Sequence, residues 1–281
     1  MSDLTIVEIP QWQGSSTGTA QRLIEGARLL ARAVPDAARI RVSTDAAAGR
    51  ARDGVAHADV LVRNLALARR AVAVVDRPVL TVGGDCGVDL APIEAALRRY
   101  GDRLAVVWFD AHGDLNTPAS SPSGAFHGMI LRALLGEGPA ELVPETALKP
   151  SRLVLAGVRA LDPDERAYVD RHAVAELPAA RLADPTDLVD ATAATGADHV
   201  HIHIDLDVLD PTVFSSVGTP EPGGLTPQTL LAAVTALVER FTVAGLTITE
   251  YEPDPEAGSV HARDQGVLAD IVPALLRAAA G

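Results

Sequence analysis

Acidic and metal-ligating side chains follow directly after one short apolar segment of this sequence. Residues 104–109, Leu-Ala-Val-Val-Trp-Phe, run into Asp110, His112 and Asp114. A continuous apolar run of this length is typical of a strand that is buried on both faces of a parallel sheet. Open α/β sheets bind their ligands beyond the carboxyl ends of such strands. Because unpaired buried charge is costly, two carboxylates and an imidazole at this position predict a metal centre.

Three other predicted strands also end in side chains that bind metals or polar ligands. They lead to Asp85 and Cys86, to Asp205 and Asp207, and to Glu250. Since residues two apart in a strand share a face, we expect the members of each cluster to converge. Mostly oxygen ligands with one imidazole suit two Mn²⁺ ions bridged by shared carboxylates. Such a pair can activate water at neutral pH and polarise the bond under attack.

The other histidines carry a weaker signal than these clusters. His127 follows a Ser/Gly loop and fits either a proton shuttle or a structural residue at a helix start. The histidines at 199, 201 and 203 alternate along the segment that leads to Asp205. Their position further back along the strand favours supporting or core roles over metal ligation. The remaining three histidines show no pattern, so we assign them to the surface or to structural roles. They are His57, His172 and His261.

Short apolar segments alternate with helical periodicity along the chain. Strands are predicted at 5–10, 39–43, 78–82, 104–109, 153–158, within 193–203 and at 246–249. Helices are predicted at 20–33, 55–75, 91–100, 128–135, 226–240 and 267–280, with loops at 45–53, 115–127 and 210–224. This alternation predicts an α/β fold in which helices flank a parallel sheet on both sides. No internal repeat or convincing linker is found, so a single domain is expected.

Composition narrows the classes of function. The chain has 281 residues, 48% of them apolar, and a net charge of -13, which makes nucleic acid an unexpected partner. No apolar run approaches the roughly 20 residues that span a bilayer, and the N-terminus does not resemble a signal peptide. The single cysteine excludes an intrachain disulfide. Together these features predict a cytoplasmic protein.

Five motifs together resemble the arginase/agmatinase (ureohydrolase) family. They are Gly-Gly-Asp-Cys (83–86), Asp-Ala-His-Gly-Asp (110–114), Asp-Leu-Asp-Val-Leu-Asp-Pro (205–211), Gly-Thr-Pro-Glu-Pro-Gly-Gly-Leu-Thr (218–226) and Thr-Glu-Tyr-Glu-Pro (249–253). The resemblance covers nearly the whole chain. It implies a three-layer α/β/α fold with a central, mostly parallel sheet and one arginase-like catalytic domain over residues 1–281. It also implies a dinuclear Mn²⁺ centre and hydrolysis of a guanidino carbon by metal-bridging hydroxide.

The resemblance assigns two metal ions to six positions of this sequence. These are Cys86, Asp110, His112, Asp114, Asp205 and Asp207. Asp110 and Asp205 match the bridging carboxylates. Asp114 matches a ligand of the first metal, and His112 and Asp207 match ligands of the second. Cys86 departs from the family, which has a metal-binding histidine there. A thiolate would make the first metal less Lewis acidic and favour Zn²⁺ or Fe²⁺; the alternative is a small buried cysteine beside an incomplete site.

The resemblance also assigns substrate contacts. His127 matches the proton-shuttle histidine, and Glu250 matches the carboxylate that grips the planar guanidino group. Further substrate-binding positions are Asn116, Ser121, Ser123, Asp162 and Thr219. The first three match positions that hold an amino-acid α-carboxylate, and Asp162 matches the one that recognises the α-amino group. Because agmatine lacks the α-carboxylate, the set favours an arginine-like substrate. Ala125 replaces the family's asparagine and removes one carboxylate contact.

The cysteine also bears on the choice of substrate. A guanidinium is firmly protonated and resists attack, whereas a hydroxyguanidine is less basic because its oxygen withdraws electrons. The cysteine variant is similar to family members that convert Nω-hydroxy-L-arginine to hydroxyurea and L-ornithine in D-cycloserine antibiotic biosynthesis. We therefore expect that activity on a small guanidino amino acid. The alternatives are an ordinary arginase or agmatinase-like ureohydrolase, a non-catalytic homologue that has lost one metal, and a mononuclear zinc deacetylase. The sequence contains no decisive interface for a homo-oligomer.

Overall fold

Eight strands form one open sheet in a computed structural model, which describes residues 4–75 and 78–281. The strands are β1 (Thr5–Ile9), β2 (Ala38–Arg41), β3 (Val79–Gly83), β4 (Leu104–Phe109), β5 (Leu153–Ala156), β6 (Ala175–Leu177), β7 (His199–Asp205) and β8 (Thr242–Thr249). Their order across the sheet is β2-β1-β3-β8-β7-β4-β5-β6, and each neighbouring pair is parallel. The expectation of a mostly parallel sheet is confirmed, and the pairing is parallel throughout.

Helices cover both faces of the sheet. They are α1 (Leu23–Arg32), α2 (Ala58–Val72), α3 (Leu90–Tyr100), α4 (Ile130–Leu134), α5 (Pro163–His172), α6 (Pro185–Ala194), α7 (Pro227–Arg240) and α8 (Ser259–Ala280). One apolar core contains buried residues of α1, α6, α7 and α8, and the other contains those of α2 to α5. The predicted three-layer α/β/α arrangement is therefore confirmed.

Strand β4 shows why its apolar run is continuous. Val107 and Phe109 belong to one of the two cores, and Val106 and Trp108 belong to the other. All six residues of the strand are buried. A strand with helices on both faces has no solvent-facing side chains, so it does not show polar alternation.

Several helices begin with local signals that the sequence carries. Pro163, Pro185 and Pro227 occupy the first helical turn, where the missing amide hydrogen is not needed. The residue before α5, Asp162, forms a capping box with Glu165. The cap holds Asp162 at the mouth of the loop that follows β5.

The region between residues 159 and 192 was not resolved into elements by the sequence pattern. It contains α5, β6 and most of α6. Helix α5 buries few apolar side chains, chiefly Tyr168 and Val169, so it lacks a clear apolar stripe. Strand β6 is a three-residue edge strand. Several boundaries also differ, most clearly those of β8, which begins at Thr242, and α8, which begins at Ser259, both earlier than predicted.

Two sequence predictions concern targeting. Residues 1–3, part of the terminus for which no signal peptide is predicted, lie outside the described residues. Within the described ranges, the helices are too short or too polar for any of them to cross a bilayer.

The strand order brings the four polar strand ends together. β3, β8, β7 and β4 are consecutive neighbours in the sheet, although they are far apart in the sequence. Parallel strands place their carboxyl ends at the same edge, so all four clusters face one crevice. β1 and β5 flank this group and contribute the loops on either side.

Candidate metal centre

The end of the crevice next to β4 contains His112, which is tied to two carboxylates. His112 Nδ1 lies 2.9 Å from Asp207 Oδ2 and 3.5 Å from Asp110 Oδ1. Backbone amides hold these carboxylates, since Ala111 N donates to Asp207 Oδ1 at 3.0 Å and His112 N donates to Asp110 Oδ1 at 2.6 Å. Thr219 Oγ1 donates to Asp207 Oδ2 at 3.2 Å. We call His112 and Asp207 the histidine end.

The end next to β3 contains Cys86. Its Sγ lies 3.2 Å from Asp205 Oδ2 and 3.3 Å from Thr249 Oγ1. Asp205 is the last residue of β7, and its Oδ1 accepts a hydrogen bond of 2.8 Å from Asp207 N. We call Cys86 and Asp205 the cysteine end; the sequence resemblance assigns Asp114 to the same metal. Asp110 joins the two ends, because it contacts His112 and shares a group of close potential ligand atoms with Cys86.

Asp114 is placed by the backbone rather than by strand alternation. Strand β4 stops at Phe109, and Asp114 lies in the following loop with a left-handed φ of 49°. Its Oδ2 is buried and has no hydrogen-bond partner among the described residues. The sequence prediction that residues two apart in a strand share a face therefore placed Asp114 in the right cluster for an incomplete reason. A loop, not a strand, turns Asp114 into the crevice.

Buried carboxylates repel one another in this crevice. Burial and the Asp110 carboxylate raise the pKa of Asp114 well above its ordinary value. Burial and the neighbouring Asp207 carboxylate do the same to the pKa of Asp205. Burial lowers the pKa of His112, but hydrogen bonds to Asp110 and Asp207 outweigh it and raise that pKa to about 12. These shifts show an excess of negative charge that one imidazole does not balance.

The donor set fits divalent cations. In each of three groups of residues, the potential ligand atoms lie within 4.8 Å of one another. The groups are Cys86, Asp110 and His203; Cys86, Asp205 and Glu250; and Asp110, His112 and Asp207. The unpartnered oxygen of Asp114 is the kind of buried acceptor that a cation would satisfy. Mostly carboxylate oxygens, with one imidazole and one thiol, can hold two such ions. His203, which the sequence pattern did not favour as a ligand, is included in one group.

Glu250 and His127 lie side by side at the β8 strand end. Glu250 has a left-handed φ of 62°, and its Oε1 accepts a hydrogen bond of 2.9 Å from Cys86 N. His127 Nδ1 lies 3.4 Å from the same oxygen. Burial lowers the pKa of His127, but the hydrogen bond to Glu250 and the charges of Glu250 and Asp85 outweigh it and raise that pKa. A histidine beside a carboxylate at the crevice can move protons.

A loop after β1 completes the surroundings of His127. Ser16 Oγ lies 3.4 Å from His127 Nε2, and His127 N donates to Gly14 O at 2.9 Å. Asp85 anchors this loop, because Gly14 N donates to Asp85 Oδ2 at 2.9 Å. A Cβ at Gly14 would lie only 2.1 Å from Asp85 Oδ1, so this approach requires glycine. Asp85 therefore shapes the loop, and Ser16 is a site neighbour that the sequence pattern did not single out.

A cavity of about 380 Å³ opens onto the crevice. The predicted substrate-binding residues Asn116, Ser121, Ser123, Asp162 and Thr219 all line it. Asn116 Nδ2 donates to Asp162 Oδ2 at 2.8 Å, which links the loop after β4 to the start of α5. The Oγ atoms of Ser121 and Ser123 accept backbone hydrogen bonds from Gly124 and Ala125, so each hydroxyl hydrogen is left to donate.

Two further residues shape the opposite wall. Glu221 lines the cavity but was not predicted as a site residue. Arg159 donates to the carbonyl oxygens of Asp207 and Glu221, both at 2.8 Å, and to that of Pro222 at 3.0 Å. The guanidinium thus joins the loop after β5 to the loop after β7. An arginine held by carbonyl oxygens gives no local signal in the sequence beyond its position after a strand.

The arginase family model matches residues 15–269, which is most of the chain. The chain belongs to the arginase family. A relative within the family, the arginase of Staphylococcus aureus (strain MRSA252), is 35% identical over 185 residues. That alignment covers 62% of this chain and 60% of the relative, which is less than two thirds of the relative's length.

Solved arginase structures share the fold of this family member. The arginase from Bacillus caldovelox has a TM-score of 0.84 and 26% identity, with 98% of both chains covered. The Entamoeba histolytica arginase in complex with L-ornithine has a TM-score of 0.85 and 22% identity, with 97% of both chains covered, and at this identity it shows the fold alone. Arginases are binuclear metal enzymes, and the ligand groups in the crevice are consistent with that.

Proposed function

We propose that this arginase-family chain is a dinuclear manganese amidinohydrolase that converts Nω-hydroxy-L-arginine and water to hydroxyurea and L-ornithine. Residues 1–281 are taken as one catalytic domain, and the biological setting is antibiotic (D-cycloserine) biosynthesis. The metal ligands are Cys86, Asp110, His112, Asp114, Asp205 and Asp207. The cytoplasmic location and the oligomeric state stay predictions from the sequence.

The observation that carries the substrate assignment is the buried thiol of Cys86 beside Asp205. Sγ lies 3.2 Å from a carboxylate oxygen at the position where the resemblance leads us to expect a histidine. Burial and the Asp205 carboxylate raise the pKa of the free thiol well above its ordinary value. A metal ion in contact with Sγ offsets this by favouring the thiolate. The added anionic donor lowers the Lewis acidity of that metal, which suits a substrate that is easier to attack than arginine.

The roles of the chain's own residues follow from their contacts. When bound, the metal pair supplies the Lewis acidity that activates water at neutral pH. Glu250 has one oxygen engaged by Cys86 N, so its other oxygen is left to accept from the guanidino nitrogens. Water adds its oxygen to the guanidino carbon, and the bond from that carbon to the ornithine nitrogen breaks. His127, between Glu250 and Ser16, delivers a proton to the departing nitrogen.

The cavity suits the amino-acid part of the substrate. Hydroxyl hydrogens of Ser121 and Ser123 can bind an α-carboxylate, while Asp162 carries negative charge for an α-ammonium group. Agmatine has an amine but no carboxylate and would leave these hydroxyls unpaired. This asymmetry supports an α-amino acid over agmatine.

The test compares Nω-hydroxy-L-arginine, L-arginine and agmatine with wild type and with Cys86→His, together with the manganese content of each protein. We expect kcat/KM for hydroxyarginine to exceed that for arginine by at least about tenfold, which corresponds to about 1.4 kcal/mol of transition-state stabilisation. Cys86→His should shift the preference towards arginine. Equal or better turnover of arginine by wild type would refute the substrate assignment, and unchanged metal content and preference in Cys86→His would refute the role of the cysteine.

An ordinary arginase is the second candidate, because the Staphylococcus aureus relative described above is an arginase. An ordinary arginase would produce urea and L-ornithine from L-arginine, and its rate with hydroxyarginine would not exceed its rate with arginine. The same substrate comparison separates the two candidates, since both retain the metal ligands and the α-amino-acid pocket.

A further inference from the structure

A buried polar network lies directly behind the cysteine end. Asp89 is fully buried three residues after Cys86. Its carboxylate accepts hydrogen bonds from His201 Nε2 at 2.9 Å, His203 Nδ1 at 2.8 Å and Thr247 Oγ1 at 2.6 Å. Burial alone would raise the pKa of Asp89, but attraction to His201 and the hydrogen bonds from both histidines outweigh it and lower that pKa. A carboxylate only accepts, so His203 Nδ1 carries a hydrogen.

The ring of His203 is held in two ways. Asp89 fixes its Nδ1 side, and the indole of Trp108 stacks on its face with ring centroids 3.4 Å apart and planes 3° from parallel. Trp108 is itself fixed, because its Nε1 donates to Asp110 Oδ2 at 3.0 Å. These contacts fix the orientation of the ring, and its Nε2 lies 3.3 Å from Thr249 Oγ1.

Thr249 connects this fixed ring to the sulfur. Its Oγ1 lies 3.3 Å from His203 Nε2, from Cys86 Sγ and from Ile204 O. Thr249 is fully buried, and a β-branched side chain in a strand has few accessible rotamers. The hydroxyl is thus a polar neighbour of Sγ whose position is restricted.

We propose that Asp89, His203 and Thr249 are positioning residues that hold Cys86 Sγ where the first metal binds. The proposal rests on the metal role proposed for Cys86. A cysteine has a single rotatable bond before its donor atom, and a buried thiolate needs a hydrogen-bond donor to offset the loss of water. The Thr249 hydroxyl can donate its one hydrogen to a thiolate at Sγ while Oγ1 accepts from His203 Nε2–H, and the network holds this donor in place, as partners of metal ligands commonly do.

The test uses Cd²⁺ binding to the chelator-treated full chain, followed by the near-ultraviolet absorption of the cadmium–thiolate bond. Thr249→Val keeps the shape of the side chain and removes the hydroxyl. We expect it to weaken Cd²⁺ binding about 10- to 100-fold, and Thr249→Ser to restore it. Thr81→Val is the matched control, because Thr81 is a fully buried strand threonine whose Oγ1 has no partner among the described residues.

The Cys86→Ala background shows whether Thr249 acts through the sulfur. If it does, Thr249→Val should cause little further loss of Cd²⁺ affinity in that background. Wild-type affinity in Thr249→Val, or an equal loss with and without Cys86, would overturn the positioning role while leaving the proposed function in place. Wild-type Cd²⁺ binding by Cys86→Ala would instead refute the metal role of Cys86 and both proposals with it.

Discussion

The histidine end and the cysteine end of the crevice are organised by different parts of the molecule. At the histidine end, Asp207 is held by the amide of Ala111, by His112 and by Thr219, all at the rim of the same crevice. At the cysteine end, the thiol contacts Asp205 and Thr249. Asp114, which the sequence resemblance assigns to the same metal, has one oxygen with no partner among the described residues. Hydrogen bonds within the crevice satisfy the histidine end, whereas we propose that a cation and the network behind it complete the cysteine end.

The largest effect is expected for Asp205→Asn, because Asp205 contacts both ends. Its Oδ2 faces Cys86 and its Oδ1 accepts from Asp207 N. Loss of the bridging charge removes several kcal/mol of stabilisation, so we expect activity to fall about 10³-fold or more, with fewer than two metals per chain. Activity assays with metal analysis on the same preparation check this. Asp270→Asn, exposed on α8, is the control. Full metal occupancy in Asp205→Asn would contradict the bridging role.

Asp89→Asn tests the dependence of the cysteine end on its buried support. Removing one partner of a buried ionic cluster leaves uncompensated polar groups, so we expect a loss of about 3–5 kcal/mol in the free energy of unfolding. Denaturant unfolding of the metal-free protein measures it. Asp198→Asn is the comparison, since Asp198 also pairs with a histidine, His199, but lies at the surface and should change stability little. Equal losses in the free energy of unfolding for the two variants would show that the buried cluster contributes no more to stability than the surface pair.

Stepwise removal of manganese compares the two ends directly. Mn²⁺ prefers oxygen and imidazole donors over thiolate, so the ion at the cysteine end should dissociate first. We expect two phases in a chelator titration, separated by about tenfold in chelator concentration, and closer phases in Cys86→His. Metal content measured at each chelator concentration gives the phases. Simultaneous loss of both ions from wild type would mean that the two ends bind Mn²⁺ with similar affinity.

The smallest effect is expected for Thr219→Val at the histidine end. Asp207 keeps its contacts with Ala111 and His112 when the Thr219 hydroxyl is removed. The loss of one hydrogen bond should weaken substrate or metal binding only about two- to tenfold. Steady-state kinetics at saturating Mn²⁺ and a manganese titration separate the two effects. A larger loss, comparable to that of Asp205→Asn, would show that the histidine end also depends on remote contacts.

Local pattern was sufficient to find most of the crevice. The run before Asp110 and the segment before Asp205 are apolar because both strands are buried on two faces, and their ends therefore stand out. Asp89 did not stand out, because a single carboxylate at the start of a helix usually reads as a cap or a solvated residue. Its partners are 112 to 158 residues away in the sequence, so its role depends on pairing that no local window contains.

The sequence by itself determined the α/β class, the buried strands and the residue types available for metal binding. These properties depend on side-chain type and on periodicity over a few residues, which are present before the chain folds. Tertiary structure decided that β3, β8, β7 and β4 are neighbours, and that left-handed backbone at Asp114 and Glu250 turns both carboxylates inward. Strand order arises from contacts between distant segments, and such contacts form only when the whole sheet is assembled. The position of Cys86, between Asp205 and the Thr249 network, was therefore decided by the tertiary structure.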